Sequence, residues 1–366
     1  MRFDCRRIFV AGIIALVALA PFDRPARAAD TIPMSPALQK IIDGAKTEGK
    51  LTLSYAVNIL GGPDGARIGA AGVKKMFGVD IDVTYFPGPS FAPMVAKLMT
   101  EMQAGQPATT DLYNGTAVEF TPMLTRGLFR AVPWTELYPG RITPEIAEGG
   151  GQALRIVTKV PGVMYNKKTA PEFAKLTAMN DLLNPALKGK IYTTPYLAGF
   201  DVLVAQSVWG YEKTEAFLRQ LMPNLGGLVS CAGLDRVASG EIPALALSCS
   251  GSEVNTDHYR GVLEWAVLRD AGERRYDYLG VPTNAAHPNA AILFALFASS
   301  PEGQSKILHD LFGGELDTYP DTPMHQQITA LEKEGMKFTG VTTDWWGSHP
   351  SVNEDLGKLI KIVMKQ

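Results

Sequence analysis

Cysteine and histidine are scarce in this 366-residue chain, three and five respectively. The histidines (His258, His287, His309, His325, His349) stand apart, without metal-ligand spacing. No Cys-x-x-Cys, His-Glu-x-x-His, Gly-x-Ser-x-Gly or Gly-x-x-x-x-Gly-Lys-Ser/Thr run occurs. The sequence signatures of thiol redox, zinc proteolysis, serine hydrolysis and nucleotide hydrolysis are therefore missing. A charge field of one sign is missing too. The 35 basic and 37 acidic side chains give net −2, whereas a nucleic-acid partner calls for a basic face. After the N-terminal apolar run, no segment approaches the roughly 20 apolar residues of a membrane-spanning helix. No internal repeat or low-complexity tract is present. No cofactor or metal is implied.

The N-terminus reads as a signal peptide over residues 1–28. Arg2, Arg6 and Arg7 precede the apolar run Ile8–Ala20, and Ala26-Arg27-Ala28 places small residues where cleavage needs them. Arg6-Arg7 fits the twin-arginine and the Sec route alike, and Cys5 precedes the apolar run, which gives a lipid anchor no support. An uncleaved anchor is the alternative. The leader holds five of the 35 basic and two of the 37 acidic side chains, so the remainder carries 30 against 35, net −5. An exported, soluble product in the periplasm is expected. There an oxidising environment permits a disulfide between Cys231 and Cys249. Each ends an apolar run, and a β-α-β unit with a helix over 235–239 would set the two strand ends side by side. Two buried free thiols are the alternative.

Strand and helix signals alternate from residue 36 onward. Ser35-Pro36 caps a helix with Leu38, Ile41, Ile42 and Ala45 on one face, and Gly49 ends it. A strand follows at 51–55, a glycine-rich helix at 61–78, a strand at 79–86, a Ser90-capped helix and a short strand at 111–113. Gly115 reads as the start of a turn and Gly149–Gly151 as a bend. This is the pattern of an α/β fold with doubly wound sheets, which bind ligands beyond the carboxyl ends of strands. Five loops take that position: 54–58, 90–91, 114–116, 196–201 and 248–252. The candidate ligand contacts on them are Ser54, Tyr55, Asn58, Ser90, Phe91, Gly115, Thr116, Gly199, Phe200, Asp201 and Ser250. Arg155 and Arg236 are candidate bidentate partners for a carboxylate or phosphate.

The segment from Met164-Tyr165-Asn166-Lys167-Lys168 to Asn180-Asp181-Leu182-Leu183-Asn184-Pro185-Ala186-Leu187-Lys188-Gly189-Lys190-Ile191 resembles the bacterial extracellular solute-binding proteins related to the ferric-iron and polyamine binders. Ala45–Leu51, Val237–Pro243, His287–Ala291 and Ser300–Gln304 resemble further parts of that family in the same order, so the likeness spans about residues 38–310. The resemblance implies the two-lobed type II periplasmic-binding-protein fold, closing on a solute like a hinge. It places 29–155 and 281–366 in the first lobe and 156–280 in the second, with a tail that can return to brace the second. It also implies a monomeric, non-enzymatic receptor that delivers a small solute to the membrane-embedded permease of an ABC importer. Ferric-binding members carry adjacent tyrosines where this chain has Ser248-Cys249-Ser250-Gly251, with Tyr259 only later. A small polar, anionic organic solute is expected, because candidate contacts sit at helix starts. Ferric ion or polyamine is the alternative, with Asp201 and Glu253 the nearby carboxylates that could pair with ammonium groups. An exported hydrolase using Asp201 or Asp257 as base is another.

Overall fold

Two paired strands that pass between two groups of elements organise the molecule. The computed structural model describes residues 32–56, 59–248 and 250–365. The expected signal peptide, Asn58 and Cys249 lie outside the described residues. The strands are β1 (Lys50–Tyr55), β2 (Asp82–Pro87), β3 (Tyr113–Thr116), β4 (Ala147–Glu148), β5 (Ala153–Lys159), β6 (Val163–Asn166), β7 (Ile191–Thr193), β8 (Leu225–Leu228), β9 (Ala244–Ala246), β10 (Leu263–Ala266), β11 (Glu273–Gly280) and β12 (Thr339–Val341). Residues 32–366 form one compact unit.

β1 and β2 pair in parallel, Leu53 opposite Tyr85. Around them lie the helices Pro36–Glu48, Gly62–Phe77 and Pro288–Ser299. The first is built as its sequence reads: Ser35 Oγ accepts the Leu38 N–H at 3.1 Å, and Gly49 closes the helix at φ 62°. The helix Pro288–Ser299 is apolar all round and buried along Ala290–Ser299, as expected for a central core helix. Gly69 and Gly72 let the neighbouring helix lie on it. A Cβ at either would stand 2.0 Å from Phe294 Cε2 or 2.2 Å from Phe297 Cε2. The Glu48 carboxylate accepts the Asn289 and Ala290 N–H groups at 3.1 and 2.8 Å, fixing the start of the core helix.

The second group of elements surrounds a five-stranded sheet of order β10-β6-β9-β7-β8. β7 runs parallel to both β8 and β9 and separates them. The expected side-by-side pairing of the strands before Cys231 and Cys249 is thereby corrected, because the earlier strand β7 takes the middle place. Cys231 is nevertheless disulfide-bonded. Between the two groups pass β5 and β11, antiparallel, with a bulge at Asp277/Tyr278. β11 also carries β3 and β12. Gly115 is therefore part of a strand opposite Tyr278, where the sequence suggested a turn. The strand expected at 79–86 begins only at Asp82.

The tail uses both groups. Helix Thr343–Ser348 packs on Ala117–Leu124, and helix Ser351–Val363 packs on Phe200–Val204 and Tyr211–Leu221. In the adjoining Trp pair, Trp346 is buried while Trp345 stacks on His349 at 4.4 Å between ring centroids.

Candidate ligand crevice

Three buried leucines hold left-handed backbone just beyond strand ends: Leu60 after β1 (φ 47°), Leu197 after β7 (φ 50°) and Leu247 after β9 (φ 49°). A γ-branched residue enters this region at an energetic cost, and such strain concentrates at ligand clamps. The loop after β1 reaches, at Gly61, a cavity of ≈ 550 Å³. From the β1 side come Gly61 and the chain end of helix 304–312, Asp310–Phe312; from the other side come Cys231, Ala232, Leu234 and the stretch carrying Glu253 to Tyr259. The volume suits a metabolite.

Two helix starts face this space. Gly61 precedes the 16-residue helix Gly62–Phe77 and offers no side-chain cap. Ala232 and Leu234 open the turn and helix running to Ala238. Below Phe312 lies Lys159 from β5, its Nζ 4.6 Å from the ring centroid and 2.8 Å from the Asp277 carboxylate. Asp277 is fully buried, and among the described residues neither of its oxygens has a partner with hydrogen-bond geometry. Burial, followed by the field of Asp277, pushes the Glu253 carboxyl up to about 7, against the opposing pull of Lys159. At the rim Asp235 Oδ1 meets His258 Nε2 at 2.8 Å and accepts the Tyr259 hydroxyl at 3.1 Å. The hydrogen bond from His258 and then that from Tyr259 hold the Asp235 carboxyl below its usual range. Among the described residues no group of three or more His, Cys, Asp or Glu side chains could hold a metal.

The sequence-based candidates divide sharply here. Ser54 and Tyr55 are buried at the end of β1, and the Tyr55 hydroxyl has no partner among the described residues. Ser90 is exposed and starts helix Phe91–Gln103 without a side-chain bond; Phe91 is half-buried, its carbonyl taking the Tyr113 hydroxyl. The Thr116 hydroxyl is occupied in a capping box with Glu119, and Gly115 lies in β3. Gly199 (φ 79°) starts the short helix Phe200–Val204, whose Phe200 is core. Asp201 is taken by Arg275 at 2.7 Å. Ser250 Oγ lies 2.7 Å from Ser252 Oγ, which donates to the Gly313 carbonyl.

Neither arginine singled out from the sequence reaches the cavity. Arg155 is buried against Glu148, with its guanidinium 3.9 Å above the Tyr276 ring. Arg236 is exposed and bound to Glu241 at 2.7 Å. Of the candidate contacts among the described residues, none lines the cavity; of the other residues singled out, Cys231, Glu253, Asp257, His258 and Tyr259 do. Gly61, Phe312 and Lys159 were missed. Lys159 had a readable signal, since it is a second lone cation in the apolar run that also holds Arg155.

Neither a model of a known protein family nor a curated protein matches the chain. Solved structures do. A periplasmic binding protein of Actinobacillus pleuropneumoniae, with exogenous fructose-6-phosphate bound, is 18% identical at TM-score 0.64, over 86% of this chain and 98% of that one. A spermidine/putrescine ABC-transporter substrate-binding protein of Streptococcus pneumoniae is 15% identical at TM-score 0.58, over 85% and 99%. The apo ferric-ion-binding protein of Pasteurella haemolytica is 14% identical at TM-score 0.57, over 87% and 97%. The chain thus has the two-lobed α/β fold of the type II periplasmic binding proteins.

Proposed function

We infer that the chain is the solute-binding receptor of an ABC importer, acting outside the cytoplasmic membrane and handing a small polar, anionic organic solute to the permease. The observation that carries this reading is the crevice between the two groups of elements, with the start of the 16-residue helix Gly62–Phe77 on its wall. Unpaired N–H groups at helix starts and the positive end of the dipole favour negative charge. The carboxylates on the wall weaken this preference little. Asp257 has Arg260 at 3.1 Å, Asp310 has Lys306 at 3.5 Å, and burial favours the neutral form of Glu253. Closure about β5 and β11 would seal the solute from water. The signal-peptide pattern agrees with export, and the missing hydrolase signatures agree with binding without turnover.

A thermal-shift screen of carboxylates, sugar phosphates, neutral sugars and amines tests the reading. An anion at 100 times its dissociation constant should stabilise the protein by about 2.7 kcal/mol. A response to spermidine or putrescine with silence from every anion would move the assignment to the polyamine alternative. Reproducible turnover of an ester, lost in Asp257→Asn, would move it to the hydrolase.

A further inference from the structure

Glu253 is the least explained charged group of the crevice. Its side chain has no hydrogen bond or ion pair among the described residues. The loop that carries it, Gly251–Asn255, is held on three sides. Gly251 N–H donates to the Val160 carbonyl at 2.9 Å, and Ser252 Oγ donates to the Gly313 carbonyl. The Trp265 indole lies so close that a Cβ on Gly251 would meet Cε2 at 1.8 Å. A Cβ on Gly313 would stand 2.7 Å from Glu253 Cα. The loop is therefore fixed in place, with the half-buried Glu253 on the cavity wall.

The groups that face it offer no cation of its own. Lys159 on β5 is engaged by Asp277 on β11. Tyr196, after β7, and Tyr259, after the loop, are phenols that feel its charge. The other carboxylates on the wall, Asp257 and Asp310, have their own cations. A half-buried carboxyl near a second carboxylate, with no hydrogen-bond donor and with Lys159 already engaged by Asp277, favours its protonated form. That form carries an O–H with no protein acceptor, on the wall of a cavity.

We propose that Glu253 is a specificity-determining residue of the crevice, donating its carboxyl O–H to an oxyanion oxygen, carboxylate or phosphate, of the solute. The proposal rests on the receptor reading above. Capture then retains one proton on Glu253. Below about pH 7 that proton is already present and affinity for a carboxylate is flat with pH. Above it, each pH unit weakens binding up to tenfold, since the proton must be taken up with the solute. Glutamine keeps a donor and removes the titration, so Glu253→Gln binds with a flat profile; Glu253→Ala binds weakly at every pH.

The experiment uses the processed chain and whichever of succinate, citrate, glucose 6-phosphate, fructose 6-phosphate or inorganic phosphate raises its melting temperature. Calorimetry from pH 6 to pH 9, in buffers of differing ionisation heat, reads affinity and proton uptake together. The carboxylates separate the Glu253 proton from the solute's own titration, and the phosphates show which oxyanion is preferred. Uptake of close to one proton at pH 8, lost in Glu253→Gln, is the expected result. A binding anion with no proton uptake in the unmodified protein overturns the inference while leaving the receptor reading intact, and this needs no variant to fold. Binding that tightens with pH and vanishes in Glu253→Gln also overturns it, by showing an ionised carboxylate paired with a cation. If neither anion, amine nor sugar moves the melt, the receptor reading fails and the inference falls with it.

Discussion

Glu148 and Glu253 are both half-buried, and their surroundings are opposite. Glu148 accepts from the Arg155 guanidinium, from the Tyr278 hydroxyl at 3.0 Å, and from the Thr343 N–H at 2.8 Å and hydroxyl at 2.6 Å. It thereby joins β4, β5, β11 and the tail. Glu253 has none of this, yet it faces a cavity. A saturated buried carboxylate is a structural joint, whereas a bare one beside empty space has its interaction still to make.

The largest expected effect breaks the first half of that contrast. Glu148→Ala leaves the buried Arg155 without its main partner, and removing one member of a buried ion pair costs about 3–5 kcal/mol. Glu145, 3.5 Å away and mostly exposed, offers Arg155 little replacement. Urea denaturation should show the loss at neutral pH with the affinity for any bound solute little changed. A loss under about 1 kcal/mol would remove Glu148 from the role of joint.

Reduction of the Cys231 disulfide comes next. If Cys249 is the partner, the closed loop of about 18 residues contributes on the order of 3 kcal/mol, less any strain. Intact mass with alkylation before and after reduction identifies the partner, and two alkylated thiols in unreduced protein would refute the pairing. Because Cys231 lines the crevice, reduction should also weaken solute capture.

Glu253→Gln acts in the other direction. The folded protein keeps the Glu253 proton up to about pH 7, whereas the unfolded chain releases it near the ordinary glutamate value of about 4.3. Between those values the folded state binds more protons, so stability contributed by this group falls as pH rises from about 4.3 to 7 and is level above. The glutamine variant lacks that fall. It should match the parent near pH 4 and exceed it at pH 8 by on the order of 3–4 kcal/mol, less what solvent screening of this half-buried group removes. Equal pH profiles for the two proteins would show that Glu253 finds a partner in solution.

The same contrast explains how far the sequence could be read. Ser35, Gly49 and His287-Pro288 mark helix boundaries because caps and breakers act within a few residues, and the structure places those ends accordingly. The strand-to-helix alternation gave the α/β class for the same local reason. Strand order was not legible: β7 enters between β8 and β9, a choice made by packing across the sheet. The crevice was legible only as strand-end loops. Whether Asp201 is free or bound depends on Arg275, 74 residues away, and nothing local distinguishes Arg155, locked to Glu148, from a free arginine. Glu253 was legible, with Asp201, as a carboxylate near the strand-end loops, but its lack of partners is a tertiary property.

The smallest expected effects carry the contrast to two helix starts. Thr116 and Ser90 both occupy N-cap positions with extended backbone, but only Thr116 uses its side chain, accepting the Val118 N–H at 3.3 Å and donating to Glu119 at 2.7 Å. Thr116→Ala should destabilise the protein by about 1 kcal/mol, the usual worth of a working cap. Ser90→Ala removes no intramolecular bond and should stay within about 0.5 kcal/mol of the parent. An exposed hydroxyl with nothing to hold inside the chain can still contact solute when the crevice closes. A weaker dissociation constant in Ser90→Ala at unchanged melting temperature would therefore extend the site to the Phe91–Gln103 helix. If affinity and stability are both unchanged, Ser90 is only an exposed residue at a helix start, and the solute is held by the wall that carries Glu253.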